Sequence, residues 1–242
     1  MQWPEITVLI VTYKRPDETR GVIRALQKNL LYPNLKWLIC DDSTGREYQT
    51  ALRADYPHMK LVSTKTNSGW GANVNNGLHH VDTPYVYLIE NDYILTQPQD
   101  LRVGISLMEV NDAIGRIRYD GVVGHQVICH LRESDIVKWI ADYRQGMALP
   151  GKLSYWLIDN ASPSLWLYSN RPSLSHIRFW KFYGPYDEGL RLGATEESYA
   201  HRVKDKMTEI GAPAIAVLPE WVVRYYDDIG VSFQHTELDR GQ

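Results

Sequence analysis

Over the first hundred residues, apolar blocks alternate with polar ones at two different periods. "EITVLIVTY", residues 5–13, is an unbroken β-branched run of strand length, the pattern of a strand buried on both faces. Arg15-Pro16-Asp17-Glu18 follows, with proline near the first helical position and acids in the first turn, which predicts a helix start. Val22, Ile23, Leu26 and Leu30 then recur at helical spacing. "LKWLICDD" predicts a second strand, residues 46–56 a helix, "MKLVST" a third strand, "GWGANVNNGLHH" a glycine-rich turn opening a helix, and "PYVYLIE" a fourth strand. Regular strand–helix alternation implies a parallel α/β sheet.

Past residue 98 the regularity fades. "QDLRVGISLMEV" and "EESYAHRVKDKM" read as helices, and "GVVGHQV", "LSYWLI", "APAIAVL" and "WVVRYY" as strands. No repeat, low-complexity segment or linker interrupts the chain. The expected architecture is one continuous domain over residues 1–242, with a nucleotide-type half to residue 98 and an acceptor-type half over 99–242.

The fourth strand carries an anomaly. In "LIENDYIL" an apolar run is broken by Glu90, Asn91 and Asp92 before Tyr93, Ile94 and Leu95 resume it. Unpaired buried charge is costly, so these groups belong at a strand end, facing something that favours negative charge. Ligands of open α/β sheets sit beyond the carboxyl ends of the strands. Each predicted strand ends in polar groups: Thr12, Tyr13, Lys14 and Arg15; Asp41 and Asp42; Asn67, Gly69 and Gly71; then Glu90, Asn91 and Asp92. Neither G-x-x-x-x-G-K-[ST] nor G-x-G-x-x-G after the first strand is present. The turn "TYKRP" has no glycine to let backbone wrap a pyrophosphate. A divalent cation, Mn²⁺ or Mg²⁺, at Asp92 would hold a diphosphate instead, since such ions bind through one or two carboxylates plus substrate phosphates.

Composition narrows the picture modestly. A net charge of −3 leaves no basic footprint for nucleic acid. Cys40 and Cys129 are far apart and read as reduced residues. The N-terminal apolar run is too short to span a bilayer and has no cleavage site, so a cytoplasmic, soluble protein is expected. Eight Trp and sixteen Tyr stand against three Phe, a balance that suits sugar stacking as well as amphipathic packing.

The motifs together resemble the GT-A-fold glycosyltransferases of the family 2-like group. "VLIVTYKRPD" looks like that family's opening strand and nucleotide loop, "ICDDST" its second-strand acids, "NSGWGANVNNG" its asparagine-glycine stretch, and "ENDY" its D-x-D-type motif. "YGPYDEGLRLGATEESYAHRV" resembles its acceptor-side segment, which ends in an acidic pair at a helix start. The resemblance covers about residues 5–205. It implies a glycosyltransferase with a Rossmann-like GT-A fold that uses a nucleotide-sugar donor, UDP-linked or otherwise, such as occurs in small bacterial and bacteriophage enzymes. It places Thr12, Tyr13 and Arg15 at the nucleoside, Asp42 with Asp41 at base or ribose, and Asn67, Gly69 and Asn75 towards the diphosphate. Asp92 becomes the metal ligand, with Glu90 and Asn91 on the donor side, and His235 a further candidate ligand. The chain departs from the family pattern in having Glu-Asn-Asp for the metal motif and Glu-Glu for the acidic pair.

An inverting transfer needs a carboxylate to take the acceptor's proton and a cation to neutralise the leaving group. "TEES" supplies Glu196 and Glu197, with Thr195 as the expected N-cap. Consecutive helical residues point about 100° apart, so only one of the two can face the hydroxyl. The family pattern makes Glu197 the base and leaves Glu196 to bind acceptor hydroxyls. Asp187, Glu188, Trp156 and Trp166 complete the acceptor-side candidates. A saccharide, a protein side chain or a hydroxymethylated DNA base are the acceptors considered. The competing readings are a nucleotidyltransferase and a non-catalytic sugar-nucleotide or glycan-binding module.

Overall fold

The structure is a computed structural model and describes residues 2–119, 156–158, 168–191, 193–217 and 223–225. The first half follows the predicted alternation: β1 (Ile6–Thr12), α1 (Pro16–Asn29), a two-residue β2 (Leu30–Leu31), β3 (Leu35–Asp41), α2 (Arg46–Asp55), β4 (Lys60–Ser63), α3 (Trp70–His79) and β5 (Tyr85–Glu90). Next come β6 (Tyr93–Leu95), β7 (Gln99–Asp100), α4 (Leu101–Val110), β8 (Ile114–Arg118), β9 (Trp156–Ile158) and β10 (Ser173–His176). The described chain closes with α5 (Arg178–Tyr183), α6 (Ala194–Lys206), β11 (Ala214–Val217) and β12 (Val223–Tyr225). The predicted strand "GVVGHQV", Cys129, Trp166 and His235 lie outside the described residues.

Among the described residues, eight strands form one sheet in the order β4-β3-β1-β5-β10-β8-β11-β9. β4, β3, β1 and β5 are mutually parallel. β10 runs antiparallel between β5 and β8, β11 is parallel to β8, and β9 is antiparallel at the edge. The sheet is therefore mostly parallel, with helices on both faces.

The alternation of β1 shows how the layers form. Ile6, Val8 and Ile10 join one core with Val22, Ile23 and Leu26 of α1, Leu52 of α2 and Leu101 and Ile105 of α4. Leu9 and Val11 face the other core, built with Val74 of α3, Phe179, Trp180 and Tyr183 of α5, and Tyr199, Ala200 and Val203 of α6. The period of two along the strand thus feeds two hydrophobic layers.

β8 and β10 were not legible as strands. "IGRIR" and "SLSH" carry arginine and serine where a buried strand usually carries aliphatics. Yet Arg116, Arg118, Ser173 and Ser175 are all buried in the sheet. Arg116 reaches Ser175 Oγ and the Ser169 carbonyl, partners that a local pattern does not reveal.

Candidate active site

The parallel register brings the first four strand ends to one level. Thr12 sits opposite Asp41, Asp41 opposite Ser63, and Val11 opposite Glu90. The loop leaving β1 is tightly bent: Lys14 and Arg15 both have φ of 54°, as does Ser43 at 56° beyond β3. Left-handed backbone at non-glycine residues costs about 1–3 kcal/mol each and persists only where surroundings enforce it. Here Asn91 Nδ2 donates to the Lys14 carbonyl at 3.3 Å and to Thr19 Oγ1 at 3.1 Å. Lys14 N–H donates to Thr44 Oγ1 at 2.7 Å, and Thr19 Oγ1 donates to the Arg15 carbonyl at 2.9 Å. Asn91 is therefore a buried strut of this loop. Arg15 caps α1, with Pro16 at the start of the helix as predicted.

Asp41 and Asp42 are buried and richly solvated by the protein. Asp41 accepts from Thr12 Oγ1, Thr44 Oγ1, the Thr44 N–H and Gln49 Nε2. Asp42 accepts from Thr64 Oγ1 at 2.8 Å and from the N–H groups of Ser68 and Gly69 at 2.8 and 2.9 Å. Gly69 has φ of 85°, which presents its N–H to Asp42 at no Cβ penalty. Thr12, also buried, accepts from Tyr48 OH at 3.0 Å while donating to Asp41. These three side chains lie at the carboxyl ends of β1 and β3, and their polar atoms are engaged inside the protein. On the rim, Asn67 Nδ2 donates to Tyr13 OH at 2.8 Å, joining the loops after β1 and β4.

The "ENDY" acids behave differently. Burial, then Asp92, then Glu196 push the Glu90 carboxyl well above the ordinary carboxylate range, while the Trp70 indole N–H and Arg15 pull it back. Arg15 Nη1 lies 3.9 Å from Asp92 Oδ2. The Tyr93 phenol is pushed up by burial and by Glu90, against the opposing pull of Arg171. Glu90, Asp92, Tyr93, Glu196, Arg15 and Arg171 thus share one electrostatic neighbourhood, built from both halves of the chain.

Helix α6 supplies Glu196. Its N-cap is Gly193, with φ of 84°, and Thr195 is buried inside the first turn instead of capping it. Thr195 packs where a Cβ at Gly71 would meet its Cγ2 at 3.1 Å and the Asp187 carbonyl at 2.4 Å, so only glycine at 71 lets α3 approach this segment. That docking sets the rotation of α6. Glu196 turns inward, its Oε1 accepting from the Asn170 N–H at 2.8 Å. Glu197 turns out: its side chain is 58% exposed and lies 3.8 Å from His201 Nε2. The 100° step between neighbours thus leaves Glu196, and not Glu197, at the carboxylate cluster. Asp187 is held by Arg202 and Ser198 Oγ. Glu188 accepts from Asn75 Nδ2 at 2.8 Å, and Asn75 also exchanges hydrogen bonds with the Tyr186 backbone. Asn75, Asp187 and Glu188 tie the acceptor-side segment to α3. Trp156 contributes to β9.

Among the described residues no three His, Cys, Asp or Glu side chains are gathered closely enough to hold an ion alone. Burial and then the neighbouring carboxylates raise Glu90, a setting that nevertheless fits a cation bound through one or two carboxylates and completed by substrate phosphate and water. Cys40 is buried and free, its thiol pushed up by burial and Asp41, which makes it unreactive. Sequence reasoning missed Trp70, Tyr93, Asn170 and Arg171 as members of this site. The first two lie inside quoted motifs; "SNRP" has no pattern that would mark it.

A mostly parallel sheet with a carboxylate-lined crevice at its strand ends is the architecture of the GT-A glycosyltransferases. The profile of glycosyl transferase family 2 matches residues 7–172, and the chain belongs to that family. S. aureus TarS 1-349, solved in complex with UDP-GlcNAc, superposes with a TM-score of 0.60 at 16% identity, covering 89% of this chain and 56% of that one. The Pyrobaculum calidifontis mannosyltransferase PcManGT, in complex with GDP-Man and Mn²⁺, has a TM-score of 0.55 at 14% identity, covering 88% and 56%. The beta-1,4 N-acetylgalactosaminyltransferase 1 of Rattus norvegicus is 28% identical over 104 residues, 43% of this chain and 18% of its own length, and the Homo sapiens protein is 26% identical over the same extent. The chain matches less than a fifth of the length of these relatives. None of the described helices is long and apolar enough to cross a membrane.

Proposed function

We propose that the chain moves a sugar from a UDP-sugar to an acceptor hydroxyl with inversion at the anomeric carbon, aided by Mn²⁺ or Mg²⁺. The carrying observation is the convergence of Glu90, Asp92 and Glu196 at the carboxyl edge of the sheet, where their charges are mutually repulsive. The relatives of the same fold that hold UDP-GlcNAc, or GDP-Man with Mn²⁺, support this reading.

Asp92 would hold the cation, with Glu90 beside it, and His235 is a further candidate ligand. When bound, the cation supplies positive charge for the departing diphosphate. Tyr13 and Asn67 form the nucleoside side of the crevice, over a floor held by Asp41 and Asp42. Arg15, beside Asp92, would turn its guanidinium to the diphosphate. Glu196 holds one oxygen to the Asn170 N–H and takes the acceptor proton with the other. The acceptor oxygen then bonds to the anomeric carbon as the bond to the diphosphate breaks, and the leaving group keeps the electron pair. Trp156 and Trp166 are assigned to the acceptor side. The acceptor class is a saccharide or protein hydroxyl, since the net charge of −3 disfavours DNA.

The test is a panel of UDP- and GDP-sugars incubated with the full chain, with Mn²⁺ or with chelator, scored for sugar release and transfer. Cation-dependent turnover of a UDP-sugar, with inverted product by NMR, is expected. Turnover unaffected by chelator, or a retained configuration, overturns the corresponding element.

A further inference from the structure

Arg116 of β8 is fully buried on the far side of the sheet from α1, α2 and α4. Its guanidinium lies 4.8, 5.5 and 6.0 Å from the ring centres of Tyr168, Phe179 and Trp180. Nη1 donates to Ser175 Oγ at 3.4 Å and Nη2 to the Ser169 carbonyl at 3.1 Å. Among the described residues, no carboxylate lies within ion-pair distance of it. Burying a cation away from its counter-charge is expensive. Aromatic faces, the Tyr186 side chain and the two acceptors stand in for that counter-charge.

The Ser169 carbonyl and the Asn170 N–H belong to one planar peptide unit. Arg116 binds its oxygen at 3.1 Å, and its N–H donates to Glu196 Oε1 at 2.8 Å. The buried cation and the candidate base are therefore joined by two hydrogen bonds through a single peptide. A cation on the carbonyl draws electron density from the N–H and strengthens its donation, since linked hydrogen bonds polarise one another in a low-dielectric interior. Tyr168, adjacent to that peptide, is itself anchored through its hydroxyl contact with Tyr186, and Trp180 Nε1 donates to Tyr186 OH at 3.0 Å. The peptide thus sits in a rigid aromatic frame.

We propose that Arg116 is a positioning residue for sugar transfer. It acts through the Ser169–Asn170 peptide to fix and polarise the hydrogen bond that orients the Glu196 carboxylate, keeping its second oxygen for the acceptor. This rests on Glu196 being the base. It assigns a role in the reaction to a residue that touches neither donor nor acceptor and lies in the core of the second half.

The experiment is a double-mutant cycle on the full chain with Arg116→Met and Glu196→Gln. Turnover is read with the UDP-sugar that the panel selects, UDP affinity is measured with Mn²⁺, and the thermal midpoint is recorded. Arg116→Met should lower kcat at least about tenfold while UDP affinity stays within about twofold. Its midpoint should be no lower than the wild type, because apolar replacement of a buried ion is often neutral or stabilising. In the Glu196→Gln background the same substitution should change kcat less than about twofold, since the group it serves is gone. Arg116→Lys, which keeps the charge, should recover part of the rate. Should Arg116→Met fail to fold, Arg116→Gln, which also removes the charge, carries the cycle. A wild-type kcat in Arg116→Met, or effects that multiply in the double variant, overturns the relay. A Glu196→Gln enzyme with wild-type kcat overturns the base assignment itself.

Discussion

Two sets of acids share the carboxyl edge of one sheet and are treated in opposite ways. Asp41 and Asp42, beyond β3, are surrounded by hydroxyls, a glutamine amide and backbone N–H groups. Glu90, on β5 with β1 between, is raised by burial and by two further carboxylates, against the pull of Trp70 and Arg15. The first set is compensated from within the protein and pins loops. The second sits beside like charges, with Arg15 3.9 Å from Asp92. Donors around a carboxylate, more than its place in a motif, separate the acid that builds a site from the acid that works in it.

The sharpest break of this contrast is Glu196→Gln. It removes proton acceptance, so transfer should fall about 10²–10⁴-fold while UDP binding and the thermal midpoint hold. Asp41→Ala attacks the other set. It strands several buried donors, and a charged hydrogen-bond partner contributes about 1.5–3 kcal/mol, so stability should fall by about 3 kcal/mol. At about 2–4 °C per kcal/mol for a chain of this size, calorimetry should record a midpoint lower by roughly 6–12 °C. If Asp41→Ala instead leaves the midpoint unchanged and abolishes donor binding, the division between the two sets is wrong.

Asp92→Asn should weaken Mn²⁺-dependent UDP binding about tenfold or more without unfolding the chain, and calorimetric titration with and without chelator reads this directly. Glu90→Gln sharpens the contrast through pH. Folded Glu90 holds its proton more tightly than the unfolded chain does, so the stability it contributes is fully present below about pH 4.3 and is lost as pH rises through its raised folded value. Without divalent cation, the Gln variant should match the wild type in acid and exceed its midpoint at neutral pH. A wild type that gains on the variant as pH rises would reverse the assignment. Glu197→Gln is the smallest effect: the side chain is exposed, and transfer should stay within about twofold of wild type.

The two halves also differ in how far they could be read in advance. Up to β5 every element but the two-residue β2 was visible, because buried parallel strands favour β-branched runs and their helices are amphipathic. The acids at the strand ends were equally plain. Beyond β5 the reading thinned. β8 and β10 hide behind Arg116, Arg118, Ser173 and Ser175, buried polar residues that no local pattern marks as strand.

The sequence by itself determined the alternating α/β order, the family motifs and the set of candidate acids, since each follows from side-chain type and short-range period. Tertiary structure decided which acids are ringed by protein donors and which are gathered beside one another. It turned Glu196 inward and Glu197 outward because Gly71 and Thr195 dock α6 against α3. It also joined Arg116 to Glu196 through a peptide 53 residues from the arginine. Such choices rest on contacts between distant segments, which burial and hydrogen bonding arrange in three dimensions and no local pattern encodes.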